Sequence, residues 1–187
     1  MGDLSERNYA LFGILGPLSA VIFIIMAIVL SPWFSWETNA LSDLGHSVQS
    51  DVASLFNFGL LLCGFLTIFY SITIFRNYAK YTSYFLVFVG LALQLVATFD
   101  EIYGDLHFLV SVLFFMGLGF VSISYFIEKK SVLAVVAFVF GSVSWMLYGL
   151  KIFGIGIAVP EAISAFAVAS WIMLSALRLY CNKSTTL

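Results

Sequence analysis

The sequence predicts an all-α integral membrane protein: six transmembrane helices in a compact bundle of three antiparallel hairpins, with a short amphipathic helix in the first outer loop. Two observations predict this class. The 187 residues are 62% apolar and only 10% charged, whereas a soluble domain carries about a quarter charged residues. The chain also contains six long apolar stretches, and a helix needs roughly 20 such residues to cross a ~30 Å hydrocarbon core.

Six spans follow from these stretches, within a single membrane domain of residues 1–187. The sixth span is long enough once Pro160 and Glu161 form its first turn, because proline is favoured at the first position of a helix. Small residues at helical spacing, such as Gly13, Gly16 and Ala20, favour close packing between the helices. The predicted spans are residues 9–31, 52–75, 82–103, 106–127, 131–152 and 160–180, and the first outer loop is 32–51.

Charged residues between the spans are sorted by sign, and this sorting predicts the orientation. Basic residues lie at the two termini and after spans two and four: Arg7, Arg76, Lys80, Lys129, Lys130, Arg178 and Lys183. Acidic residues and both histidines lie after spans one and three or at the start of span six: Glu37, Asp43, His46, Asp51, Asp100, Glu101, Asp105, His107 and Glu161. Because cytoplasmic loops are enriched in Lys and Arg, we expect both termini in the cytoplasm and the acidic loops outside.

The first outer loop is too long for a simple turn. If residues 39–50 are helical, a single polar stripe forms along one side, made of Asn39, Ser42, Asp43, His46 and Ser50. The opposite side is apolar, and Trp33 and Trp36 precede it. Such a helix is suited to lie on the membrane surface or to fold over the mouth of the bundle. The polar stripe therefore either lines a site or faces water.

Five spans carry a polar residue at one common depth. Counted at ~1.5 Å per residue, these residues lie about 6–11 Å below the outer boundary: Asn57, Gln94, Ser111, Ser144 and Ser164. Polar side chains in lipid need partners and tend to face the bundle interior. The pattern predicts an outward-opening polar vestibule with an apolar floor. Ordinary hydrogen bonding between helices is the competing explanation.

Candidate chemistry is concentrated in two acid–histidine pairs, Asp43 with His46 and Asp105 with His107. Imidazole and carboxylate groups are ligands for first-row metals, so Asp43, His46 and His107 are candidates for a divalent metal site. Without a metal, Asp43, His46, His107 and Glu161 are candidates for acid–base catalysis. Lys151 stands across a turn from Glu161, which predicts an ion pair between them.

Three segments resemble a known family. They are Asn39–Gly45 after the first span, Phe56-Asn57-Phe58-Gly59-Leu60 in the second, and His107 with Phe114-Phe115 in the fourth. They are similar to the domain of unknown function 998 family, six-helix membrane proteins of archaea and bacteria that are distantly similar to DRAM/Sfk-type proteins. The resemblance implies a six-span fold in a prokaryotic cytoplasmic membrane. It implies no activity, although it draws attention to Asn39, Ser42 and Asp43.

Three function classes are consistent with these patterns. The first is a protein that binds a lipid or small amphiphile at the outer leaflet, with membrane lipids as partners. The second is a membrane hydrolase, metal-assisted or acid–base, acting on a lipid-like substrate, and the third is a small-solute transporter. A basic nucleic-acid patch is absent from the sequence. The candidate ligand-binding residues are Asn39, Ser42, Asn57, Gln94, Asp100, Glu101, Asp105, Ser111, Ser144 and Ser164.

Overall fold

The computed structural model describes residues 7–152, 154 and 156–181. The two ends of the predicted domain, 1–6 and 182–187, lie outside the described residues. Six helices in it are long and apolar enough to cross a membrane, and the described residues form no β-strand. The six-span, all-helical class is therefore confirmed. The helices are α1 (Tyr9–Val29), α2 (Ala53–Tyr78), α3 (Lys80–Thr98), α4 (Asp105–Lys129), α5 (Val132–Gly149) and α6 (Ala158–Cys181).

The helix ends differ from the sequence-based bounds by up to five residues, and local chemistry bears on two of these differences. α3 ends at Thr98, because the Asp100 carboxylate accepts the backbone N–H of Ile102 at 3.0 Å and starts a separate short turn, Glu101–Tyr103. α2 continues through a widened π-helical turn, Ser71–Phe75. In that turn the hydroxyl of Ser71 donates to the carbonyl of Thr67 at 2.7 Å, and the hydroxyl of Thr73 donates to the carbonyl of Phe69 at 2.6 Å. Such bonds to the preceding turn often bend helices.

Each helix packs against its neighbours in the chain, and α6 also contacts α1 and α4. α2 and α3 lie close together at two glycines, since a Cβ on Gly64 would lie 2.6 Å from the carbonyl oxygen of Gly90. A second core contact is the stacking of Tyr125 on Trp171, with ring centroids 4.4 Å apart. These two contacts join α2 to α3 and α4 to α6.

The two ends of the bundle differ in charge. At one end lie the connections from α1 to α2, from α3 to α4 and from α5 to α6, and the first two carry Glu37, Asp43, Asp51, Asp100 and Glu101; it is called the acidic end below. At the other end lie the short turns after α2 and α4, with Arg76, Lys80, Lys129 and Lys130; it is called the basic end. The candidate site is at the acidic end.

Candidate ligand site at the acidic end

The segment 31–52, called the cap below, crosses over the acidic end of the bundle. The amphipathic helix expected over 39–50 is replaced by turns and a single 3-10 turn, Ser42–Gly45. Asp43 explains the difference, because its carboxylate accepts the side-chain amide of Asn39 at 2.7 Å and a nearby backbone N–H at 3.0 Å. Short polar side chains that bond the backbone locally in this way compete with helix formation.

Three carboxylates of the bundle and of its connections hold the cap in place. Each of them accepts a hydrogen bond from the cap: Leu41 N–H to Glu161 Oε2 (2.7 Å), Ser42 Oγ–H to Glu101 Oε1 (2.5 Å) and Ser47 N–H to Asp100 Oδ2 (3.1 Å). Asn57 of α2 adds a fourth bond, from its amide to the carbonyl oxygen of Gly45 at 2.8 Å. The cap is thus bonded to α2, to α6 and to the connection between α3 and α4.

Asp43 of the cap forms an acidic cluster with Glu101 and Glu161, which lie beneath the cap. Burial raises the pKa of Glu101 above its ordinary value, and the negative charge of Asp43 raises it further, against the opposing effects of Ser42 and His107. Glu161 is only 8% exposed, and its charge is repelled by those of Glu101 and Asp43. Lys151, expected to pair with Glu161, is exposed, and Glu161 bonds the cap instead.

His107 lies in the first turn of α4 and is bonded on both ring nitrogens. Its Nδ1 lies 2.7 Å from the carbonyl oxygen of Phe99, and its Nε2 lies 3.3 Å from the hydroxyl of Ser111. A carbonyl only accepts, so Nδ1 carries the proton, and in the neutral ring Nε2 accepts from Ser111. His107 is therefore fixed in one tautomer with its basic nitrogen directed at a serine hydroxyl.

His46 does not join the other candidate metal ligands. Its Nδ1 accepts the backbone N–H groups of Val48 and Gln49, each at 3.3 Å, within its own turn. Between residues 7 and 181, as far as the structure describes them, no three His, Cys, Asp or Glu side chains are placed to share a metal ion. The structure therefore does not bring Asp43, His46 and His107 together as a metal set. Asp105, predicted as a ligand residue, is exposed.

The five polar residues expected to share a vestibule have separate partners. They are bonded as follows: Asn57 to the cap, Gln94 to Leu61 O across α2 and α3 (3.5 Å), Ser111 to His107, Ser144 to Gly141 O within α5 (2.7 Å) and Ser164 to Trp145 Nε1 (3.0 Å). The structure does not bring all five together. Their common depth follows from helix geometry, but the direction of each side chain around its helix is set by packing.

A cavity of about 120 Å³ lies beneath the cap among all helices but α5. Its polar lining residues at the acidic end are Ser42, Ser111 and Glu161, and Cys63 and Thr67 lie deeper. The remaining lining is aliphatic and aromatic. This space is small compared with ligand pockets, which measure ~300–1,000 Å³.

A larger cavity of about 580 Å³, called the lateral cleft below, lies between α4, α5 and α6. Several lining side chains are exposed on the apolar flank of the bundle, among them Phe108 (70%), Met116 (56%) and Phe120 (50%), so the cleft opens sideways. From Phe108 to Ile123 it follows α4 for about 22 Å at the ~1.5 Å rise of a helix. It is therefore long, apolar and open to the face that would meet lipid.

The lateral cleft has polar groups concentrated near the acidic end. Ser111, Ser164 and Glu161 line it there, and Trp145 donates to Ser164. Deeper in the cleft, the Ser122 hydroxyl is already bonded to a carbonyl of its own helix at 2.9 Å. The two cavities share Ser111 and Glu161 in their lining, and also three apolar residues, Phe115, Leu118 and Val168.

The apolar residues that line the lateral cleft were not among the site residues predicted from the sequence. Trp145 gives the one usable signal, because tryptophan is enriched at membrane boundaries and this residue lies inside a span. Gly119 and Ala137 line the cleft too, but small residues in spans usually mark close helix contacts. Here they leave space instead, and the sequence does not distinguish the two outcomes.

Comparison with known proteins gives one match. No curated protein and no solved structure matches the chain. The family model for protein of unknown function DUF998 matches residues 14–178, which include all or most of each of the six helices, the cap and the lateral cleft. The chain therefore belongs to the DUF998 family.

Proposed function

We propose that the protein binds an amphiphile in the lateral cleft, with the apolar chain along α4 and the polar group near Ser111, Ser164 and Glu161. The observation that supports this most directly is the shape and chemistry of the cleft. Its volume of about 580 Å³ is within the range of small-molecule sites, it opens towards the lipid-facing flank, and its polar groups are at one end. A molecule with a polar head and an apolar tail matches this arrangement.

The proposal includes an orientation. Cytoplasmic loops are enriched in Lys and Arg, so the basic end faces the cytoplasm and the cap faces outward, in the cytoplasmic membrane of a prokaryote. The polar part of the cleft is then near the outer leaflet, from which a lipid enters sideways. Both chain termini are on the cytoplasmic side in this arrangement.

A substitution that fills the cleft tests the proposal. A Cβ on Gly119 would approach Phe138 at 3.5 Å, an ordinary contact, so Gly119→Phe adds bulk to the cleft without a clash at its first atom. Gly149→Phe is the matched control, because nothing lies within 4 Å of its Cβ position. Native mass spectrometry of protein released from lipid nanodiscs measures the bound amphiphile.

We expect a stoichiometric amphiphile on the wild type and on Gly149→Phe, and at least about tenfold lower occupancy on Gly119→Phe, equivalent to ~1.4 kcal/mol. Wild-type protein free of any amphiphile would contradict the proposal. Equal occupancy of all three proteins would show that the lipid binds elsewhere.

A second function, hydrolysis of an ester in the bound amphiphile, is favoured by the bond between Ser111 and His107. His107 Nε2 is 3.3 Å from the Ser111 hydroxyl, and Ser111 lines both cavities. Ser111 Oγ would attack the ester carbonyl while Nε2 takes its proton and passes it to the leaving alcohol. Water would then release the acid and restore Ser111.

A fluorophosphonate probe, which reacts with activated serine hydroxyls, tests this second function. Labelling of the wild type that disappears in Ser111→Ala and falls in His107→Gln would support it. Ser144→Ala is the control, since Ser144 is bonded within its own helix. Absence of labelling on the wild type would leave binding as the function.

A further inference from the structure

Glu161 lies where the two cavities meet, and its charge bears on the head group that the bound molecule can carry. This carboxylate is 8% exposed and nevertheless lines both spaces. Among the described residues, Leu41 N–H is its donor and bonds Oε2 at 2.7 Å. Its other oxygen, Oε1, therefore keeps acceptor capacity for a molecule in the cleft.

The charges around Glu161 are mainly negative. Asp43 from the cap and Glu101 from the connection between α3 and α4 both repel it, and Asp100 and Asp105 lie in or next to that connection. Three cationic or basic groups are near this end. Lys151 is exposed on the connection to α6, and the Nδ1 of His46 accepts N–H groups within its own turn. His107 uses both ring nitrogens in bonds to Phe99 and Ser111.

Buried charge is stable when it is paired, and an unpaired carboxylate in an apolar site is costly. An anionic head group in the cleft would add a further negative charge to Asp43, Glu101 and Glu161. A cationic head group would instead supply a charged partner for Glu161, within a site of low dielectric where such pairs are strong.

Resting on the proposed amphiphile binding, we infer that the molecule in the lateral cleft carries a cationic head group, an amine or quaternary ammonium, and that Glu161 is its anionic partner. The apolar chain occupies the space along α4, and the positive charge reaches the junction of the two cavities. Charge complementarity selects this occupant over the anionic and uncharged amphiphiles that have the same tail.

Three probes with one common tail test the inference: dodecyltrimethylammonium, dodecyl sulfate and dodecyl maltoside, below their micellar concentrations. Equilibrium binding is measured on wild-type protein in nanodiscs of zwitterionic lipid, with empty nanodiscs subtracted. We expect the cationic probe to bind at least about tenfold more tightly than the anionic one. This comparison needs no variant, so it does not depend on the folding of a mutant.

Glu161→Gln then identifies the partner, because its amide oxygen still accepts Leu41 N–H and the cap is retained. We expect about tenfold weaker binding of dodecyltrimethylammonium and unchanged binding of dodecyl maltoside. Glu37→Gln, which removes an exposed carboxylate of the cap, is the matched control and should bind like the wild type.

The outcomes separate this inference from the proposed function. Equal affinity for the three probes, with binding still lost in Gly119→Phe, would overturn the cationic head group and leave the cleft as a general amphiphile site. Unchanged binding of the cation by Glu161→Gln would overturn the role of that residue. If no probe binds the wild type, the inference is overturned together with the amphiphile binding on which it rests.

Discussion

Each end of the bundle uses a glutamate to accept backbone N–H groups from a neighbouring segment, but the two glutamates are placed differently. At the basic end, Glu128 accepts the N–H of Tyr81 at 3.0 Å, and both the N–H (2.7 Å) and the hydroxyl of Thr82. At the acidic end, Glu161 accepts a single N–H, that of Leu41, and lines two cavities.

The difference indicates which carboxylate is structural and which has capacity for a ligand. Glu128 uses both oxygens to cap the start of α3, and next to it Lys129 lies over the Tyr78 ring at 3.9 Å. Its bonds are complete within the protein. Glu161 has negative neighbours and lines two cavities, and Leu41 N–H is bonded to only one of its oxygens, so we infer that a ligand completes its pairing.

Loss of the basic-end glutamate has the largest expected effect on stability. Glu128→Ala removes three hydrogen bonds to a carboxylate. The N–H of the fully buried Thr82 loses its acceptor, whereas the Thr82 hydroxyl keeps Ser124 Oγ at 3.1 Å. Bonds to charged groups contribute about 1.5–3 kcal/mol each and are not additive, so we expect a loss of about 3 kcal/mol. Unfolding in mixed micelles with increasing dodecyl sulfate measures it.

Glu37→Ala is the control for that experiment, because Glu37 is exposed and surface substitutions usually change stability by less than ~0.5 kcal/mol. A loss below about 1 kcal/mol for Glu128→Ala would show that water replaces the missing acceptor. The contrast between Glu128, with its bonds made inside the protein, and Glu161, with an acceptor left for a ligand, would then no longer hold.

A substitution at Gly45 in the cap should have a smaller effect on stability, confined to the cap. A Cβ on Gly45 would lie 2.5 Å from Asn57 Oδ1 and 2.9 Å from Phe56 Cδ1, and Phe56 is only 3% exposed. Overpacking of this kind costs about 1–3 kcal/mol. We therefore expect Gly45→Ala to loosen the cap by about 2 kcal/mol, seen as faster hydrogen–deuterium exchange across 31–52 with little change at the basic end.

Gly149→Ala serves as the control, because its Cβ meets nothing within 4 Å. Unchanged exchange in Gly45→Ala would mean that Asn57 turns away at no cost. The bond from Asn57 to Gly45 would then contribute little to holding the cap.

The sequence predicts the six helices well because span formation is a local property. Apolar length and composition decide whether a segment can cross a membrane, and no knowledge of its neighbours is needed. The prediction of a helix over 39–50 was wrong, and the reason is again local: it depends on individual side-chain hydrogen bonds. Polar spacing favoured a helix, yet Asp43 and Asn39 bond each other and nearby N–H groups and close a turn.

The site was less predictable, because it depends on directions around the helices. Depth counted along a helix placed Gln94 and Ser144 beside Ser111, but Gln94 bonds across α2 and α3 and Ser144 bonds its own helix. The lateral cleft arises where Gly119 and Ala137 leave space between helices. That space is a property of the packed bundle, and a single sequence carries no record of it.

The smallest expected effect concerns the pH dependence of the acidic end. Burial and the charge of Asp43 raise the pKa of Glu101 above its ordinary value of 4.5. Between 4.5 and that raised value, the folded state holds a proton that the unfolded state has released, so the free energy of unfolding falls as pH rises. Glu101→Gln removes this penalty and keeps an acceptor for Ser42.

We therefore expect Glu101→Gln to match the wild type near pH 4 and to be more stable at neutral pH, by less than about 1 kcal/mol because the group is partly exposed to solvent. Thermal unfolding across this pH range measures the difference, and Glu37→Gln should follow the wild-type curve. If Glu101→Gln also follows it, the carboxylates beneath the cap do not repel one another. The acidic end would then resemble the basic end, with its charges balanced inside the protein and no electrostatic reason to recruit a cation.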